Sequence, residues 1–142
     1  MKQELDEYLC RVYPKLFVER NMSEMETCMC WGFSHGDGWF NIINQLCRNI
    51  QHHLDWKNRD GEVVPQVVVQ QVKEKFGSLR FYYRGGDDYI RGLVSMAESM
   101  SEVTCETCGK PGTSTGGGWI RTLCVEHGGE DFDILKDKND LA

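Results

Sequence analysis

No run of apolar residues in this chain approaches the length of a membrane span, and residues 1–17, MKQELDEYLCRVYPKLF, carry acids where a leader would need an apolar stretch. A spanning helix and an export signal are therefore not expected, and the chain is expected to stay in the cytoplasm. Positive charge is also scarce: 16 Lys and Arg face 22 Asp and Glu, a formal net charge of −6. That balance opposes the counterion-release attraction behind sequence-independent nucleic-acid binding, so direct contact with nucleic acid is not the default. There is no internal repeat and no low-complexity segment. The seven cysteines do not have the even spread of a secreted disulfide framework, since four of them fall in C-x-C or C-x-x-C spacings. Metal ligands together with free buried thiols fit that distribution better.

What is present fits one compact α+β domain. The 142 residues are 40% hydrophobic and 27% charged, enough to bury a single core. Leu5, Leu9, Val12 and Leu16 recur at helical intervals, and Pro14 ends that helix near Tyr13. Residues 21–38 show no period and read as a loop, although Met22, Met25, Met29, Trp31 and Phe33 make it apolar. The clearest helix follows, with Asp37 as its expected N-cap and Trp39, Ile43, Leu46, Ile50 and Leu54 along one stripe. Cys47 lies beside that stripe as core filler. Residues 67–76 and 79–84 are rich in Val, Phe and Tyr and read as a β-hairpin turning at Gly77 and Ser78. Asp87 or Asp88 then caps a helix bearing Ile90, Leu93, Val94, Ala97 and Met100, which runs to about Glu102. The organisation expected is a body over 1–102, a metal-binding module over 103–128 packed on it, and an acidic tail over 129–142 with one helical turn from Phe132 to Leu135.

The module is the segment CETCGKPGTSTGGGWIRTLCVEH. A C-x-x-C pair lets one tight turn bring two thiolates to the same ion, and Cys105 and Cys108 have this spacing. Gly109 follows where such a knuckle favours positive φ. Cys124 and His127 form a second pair of equal length, completing a Cys3His set that predicts one structural Zn2+. With four protein donors no coordination position remains for a reacting water. The intervening stretch reads as a flexible turn and a strand, WIRTL, with Trp119 packing over the site in preference to standing exposed for a partner.

Other chemistries rank lower. A zinc deaminase requires H-x-E and P-C-x-x-C, whereas here His35 is followed by Gly36 and Asp37, and Thr104 precedes Cys105. A His-metal finger nuclease could use Glu126 beside His127, but His127 is required as the fourth ligand. Cys28, Cys30 and His35 suggest a second metal site, although C-x-C is a loose spacing and buried thiols are the plainer account. Gly36-Asp37-Gly38 could cradle a phosphate, but Asp37 would repel it, and a capped helix start is preferred. Lys73, Lys75, Arg80, Arg84 and Arg91 interleave with Phe81, Tyr82 and Tyr83 as in single-strand binders. A half-buried hairpin with Leu79, Phe81 and Tyr83 inward explains the same pattern.

Three phrases together, GFSHGDGWF, VKEKFGSLRFYY and CETCGKPG…GGGW…TLCVEH, resemble small zinc-knuckle proteins encoded by phages and prophages, over about residues 30–127. The resemblance implies Cys105, Cys108, Cys124 and His127 as metal ligands and is similar in kind to anti-CRISPR proteins. His35 departs from the pattern, in which cysteine is common. It implies a non-enzymatic protein acting by protein–protein interaction as an inhibitor of a host defence complex, such as a CRISPR effector nuclease. A zinc-ribbon-like nucleic-acid adaptor is the second reading and a His-metal finger nuclease the third.

Overall fold

A computed structural model describes residues 1–130. The helical turn expected from Phe132 to Leu135 lies outside the described residues. Helix α1 spans Gln3–Val12 and α2 Phe40–Arg59; the hairpin strands are β2, Val68–Lys75, and β3, Ser78–Arg84; helix α3 spans Asp88–Ser101. This is the expected α+β arrangement. No helix among the described residues is long and apolar enough to cross a membrane.

The hairpin turns one residue earlier than its sequence suggests. Phe76 and Gly77 both take positive φ, 54° and 80°, the two-residue geometry whose twist matches that of the flanking strands. Ser78 belongs to β3, opposite Lys75. An irregularity between Val69 and Gln71 breaks the period-2 alternation of β2. The extra residue lets Val69 and Val72, three apart, both reach the core. Leu79 and Phe81 are buried and Tyr83 half-buried, as the inward-facing hairpin reading requires.

The segment read as a loop supplies a third strand. Phe33–Ser34, β1, pairs parallel with β2, Phe33 opposite Val72, so the sheet order is β1-β2-β3. Two residues are too few to show a period. Of the apolar residues in that segment, Met29 and Phe33 are buried in the main core, whereas Met22, Met25 and Trp31 are exposed.

Asp87 caps α3 as expected, accepting from the Ile90 N–H at 3.1 Å, and its other oxygen meets His53 Nε2 of α2 at 2.7 Å. Asp37 does not cap α2. A single 3-10 turn, Asp37–Trp39, comes first, and the Asp37 carboxylate accepts from the Lys2 N–H at 2.7 Å. The α2 stripe is otherwise as read, with Trp39, Ile43, Leu46, Cys47, Ile50 and Leu54 all buried. On α3, Ile90, Val94 and Ala97 are buried, whereas Met100 is 48% exposed and helps line a groove of about 320 Å³ between α2 and α3.

Candidate metal centre

The last described segment folds as two knuckles around one point. Cys105 leads the first: its N–H donates to Lys110 O at 2.7 Å, and the Gly109 N–H returns to Cys105 O at 2.9 Å. Gly109 has the positive φ expected of it, 81°. The second knuckle is one 3-10 turn, Val125–His127, in which the His127 and Gly129 N–H groups donate to Cys124 O at 3.0 and 2.8 Å. A short antiparallel pair, β4 at Thr113–Ser114 and β5 at Thr122–Leu123, ties the knuckles together. The expected strand from Trp119 is thus only its last two residues. A Lys110–Glu126 ion pair at 2.9 Å bridges the turns on the outside.

The four ligand atoms of Cys105, Cys108, Cys124 and His127 lie within 4.8 Å of one another. Three edges are 3.6 Å from Cys108 Sγ to Cys124 Sγ, 3.7 Å from Cys105 Sγ to His127 Nδ1, and 3.1 Å from Cys124 Sγ to His127 Nδ1. An ion with arms of about 2.3 Å to sulfur and about 2.0–2.1 Å to nitrogen implies tetrahedral edges of about 3.6–3.8 Å. Two of the three edges, 3.6 and 3.7 Å, match that range, the third is shorter, and all four donors lie within 4.8 Å, so the donor set can hold a single tetrahedral ion. Its two first-knuckle thiols shift in opposite directions. The Lys110 backbone lowers Cys108, but burial and the neighbouring Cys124 and Cys105 sulfurs outweigh it, and its net shift is upward. Burial pushes the Cys105 thiol up, but the backbone N–H groups of Cys124, Cys108 and Thr107 outweigh it, and the net shift is downward, toward the thiolate that metal binding needs.

What seats the module on the body is the Gly36-Asp37-Gly38 stretch. Gly38 N–H donates to Glu106 O at 2.7 Å, Gly36 N–H to Glu106 Oε1 at 2.9 Å, and Trp39 Nε1 to Thr104 O at 2.9 Å. A Cβ on Gly36 would lie 2.4 Å from Glu106 O, and one on Gly38 would lie 2.1 Å from Cys105 O. The two glycines let one backbone lie directly on another. A second seam joins Thr122 Oγ1 to Gly77 O of the hairpin turn at 2.6 Å.

The remaining candidates fall elsewhere. Cys28 is exposed, Cys30 Sγ contacts Thr27 O at 3.2 Å, and His35 is buried beside Phe33 and Trp39; among the described residues these three do not form a metal-binding group. Glu126 is paired with Lys110 on the surface, whose ammonium holds its carboxyl below the usual range. Arg84 pairs with Glu19 and Arg91 with Asp88, so two members of the basic stripe have acidic partners, although both stay exposed. Trp119 departs most from expectation. It is 76% exposed and does not cover the site.

His35 has a consequence for stability. Its ring is 6% exposed and its Nδ1 lies 2.7 Å from Gly36 O, while Nε2 has no partner among the described residues. Burial drives its pKa from 6.5 down to about 4. Below the unfolded value the unfolded chain takes a proton that the folded chain refuses, so stability falls as pH drops from 6.5 toward 4. The expected loss across that window is about 3 kcal/mol. Urea unfolding of the native chain and of His35→Phe at a series of pH values measures it as the difference between the two curves. Parallel curves would rule it out.

Comparison of the chain with protein-family models, curated proteins and solved structures finds no match.

Proposed function

We propose that the chain is a non-enzymatic protein-binding module, in which one structural zinc ion held by Cys105, Cys108, Cys124 and His127 fixes the face that meets the partner. The supporting observation is the exposed Trp119, 76% accessible on the module, with Phe76, 71% accessible, on the hairpin turn against which the module is seated. Large exposed aromatics on a rigid support are the side chains that anchor protein interfaces. Four protein donors close the tetrahedron, so the ion's contribution is structural: it holds the two knuckles and, through Glu106 and Thr104, their seat on the body. The net charge of −6 favours a basic partner face. The resemblance to phage-encoded proteins sets host defence complexes, CRISPR effector nucleases among them, as the partner class.

The test uses the intact zinc-loaded chain, with metal content measured on the same sample. It is presented to purified CRISPR effector complexes, and both binding and target cleavage are followed. The expected result is stoichiometric binding with loss of cleavage, weakened when exposed acids are reversed in sign. Failure to bind or inhibit any effector of the host would sink the assignment. Retention on nucleic acid with a steep salt dependence would replace it with the adaptor reading.

A further inference from the structure

We infer that the cleft between the hairpin turn and the second half of the metal module is a receptor for an arginine side chain of a protein partner, with Trp119 as its stacking wall and Glu74 and Glu106 as its anionic floor. The inference rests on the reading of the chain as a protein-binding module and names the chemistry that this module takes.

Two adjoining hollows make the cleft. One, of about 390 Å³, is lined by Glu74, Glu106, Trp119 and Arg121. The other, of about 230 Å³, shares Glu74 and Trp119 and is closed by Phe76 and Ile120. The larger hollow has two carboxylates against one guanidinium, an excess of one negative charge, and the smaller adds the Lys75 ammonium on its far side. Glu106 is the decisive group. Its residue is only 6% exposed; Oε1 accepts from the Gly36 N–H at 2.9 Å, and Oε2 is buried with no hydrogen-bond donor among the described residues. Arg121 Nε lies 3.8 Å from that oxygen, too far for a hydrogen bond, so the local cation leaves the acceptor unsatisfied. Glu74 Oε2 accepts from the Gly77 N–H at 3.2 Å, which fixes the carboxylate and leaves its second oxygen to accept from elsewhere.

A buried carboxylate oxygen without a donor, beside an exposed indole, selects a planar cation. Guanidinium can stack on the ring and direct N–H groups to both carboxylates at once, which a compact ammonium cannot do. The aromatic on the other side already holds a cation, since Lys75 Nζ lies 5.6 Å from the Phe76 ring centroid. The position is also fixed: Gly77 packs against Ile120 and Arg121, and Thr122 Oγ1 ties the module to the turn, so the two walls are held at a set spacing. Sequence spacing could not show this, because Glu74 and Glu106 are thirty-two positions apart and meet only through that seam.

The probe is a blocked Gly-Arg-Gly peptide titrated into the zinc-loaded chain, with a Gly-citrulline-Gly peptide of the same shape but no charge as control. Nitrogen-15 spectra report the Trp119 indole and the backbone of residues 74–77 and 118–122. Saturable shifts confined to those residues are expected with arginine and not with citrulline. Binding should be about tenfold weaker in Trp119→Ala and in Glu106→Gln, whose amide oxygen can still accept from Gly36. A native spectrum elsewhere in each variant establishes that it is folded. Equal response to the two peptides, shifts outside the cleft, or unchanged affinity in a folded Trp119→Ala would overturn the inference. The effector experiment separates it from the broader reading: a partner bound equally by the native chain and by Trp119→Ala leaves the module assignment intact and removes the cleft.

Discussion

Stripping the metal from the intact chain is expected to unfold residues 103–130 and to lower the stability of the whole body with them. The buried apolar cluster of the module is Cys105, Leu123 and Cys124, too small to fold without its staple. Structural zinc sites of this kind contribute about 10–16 kcal/mol of binding free energy, comparable to the whole stability of a domain. The loss would not stop at the module. Release of Thr104 and Glu106 takes away the partners of the Trp39 indole N–H and of the Gly36 and Gly38 amides, and Trp39 is fully buried in the main core. Chelation, or Cys105→Ser, should collapse the amide dispersion of 103–130, shift the Trp39 indole signal, and lower the thermal midpoint of the remainder. One zinc per chain should be recovered, and cobalt substitution should give the visible spectrum of a tetrahedral, thiolate-rich site. Retention of native amide shifts in 103–130 after complete chelation would refute a structural role for the metal.

The parts of this architecture legible in the sequence are those that local chemistry decides. C-x-x-C with C-x-x-H brings four donors together whatever surrounds them, and the heptad-like stripe of α2 finds its core because helical periodicity is local. The parts that were not legible depend on distant partners. Strand β1 exists because Phe33 meets Val72, thirty-nine positions on, and two residues carry no pattern of their own. Asp37 has the residue type and place of an N-cap, yet the Lys2 amide claims it. Trp119 follows three glycines in a stretch with no inward period, and it stands 76% exposed instead of packing over the sulfurs. The phrase GDG illustrates the limit most clearly. Glycines before a helix read as a capped start or a phosphate cradle, whereas here they are missing side chains that make room for Cys105 and Glu106.

That role makes Gly38→Ala a strongly damaging substitution. Its Cβ would lie 2.1 Å from Cys105 O and 2.6 Å from Glu106 O, and both obstacles are backbone, so no rotamer change relieves the overlap. The module must move away, which breaks the Gly38–Glu106, Gly36–Glu106 and Trp39–Thr104 hydrogen bonds together. Three such bonds at about 1 kcal/mol each, added to overpacking strain of about 1–3 kcal/mol, put the expected loss at about 4 kcal/mol or more. Gly92, in the middle of α3, provides the control because nothing lies within 4 Å of its added Cβ. There the same substitution removes only the entropic disadvantage of glycine in a helix, and Gly92→Ala should stabilise by about 0.5–1 kcal/mol. Opposite signs for one chemical change, read by denaturant unfolding with the metal bound, separate close backbone approach from a general intolerance of alanine. With its seat displaced, Gly38→Ala should also release the bound metal to a competing chelator faster than the native chain, while Gly92→Ala should not. Two variants with the same small effect on stability and metal release would show that the module does not depend on the body for its position.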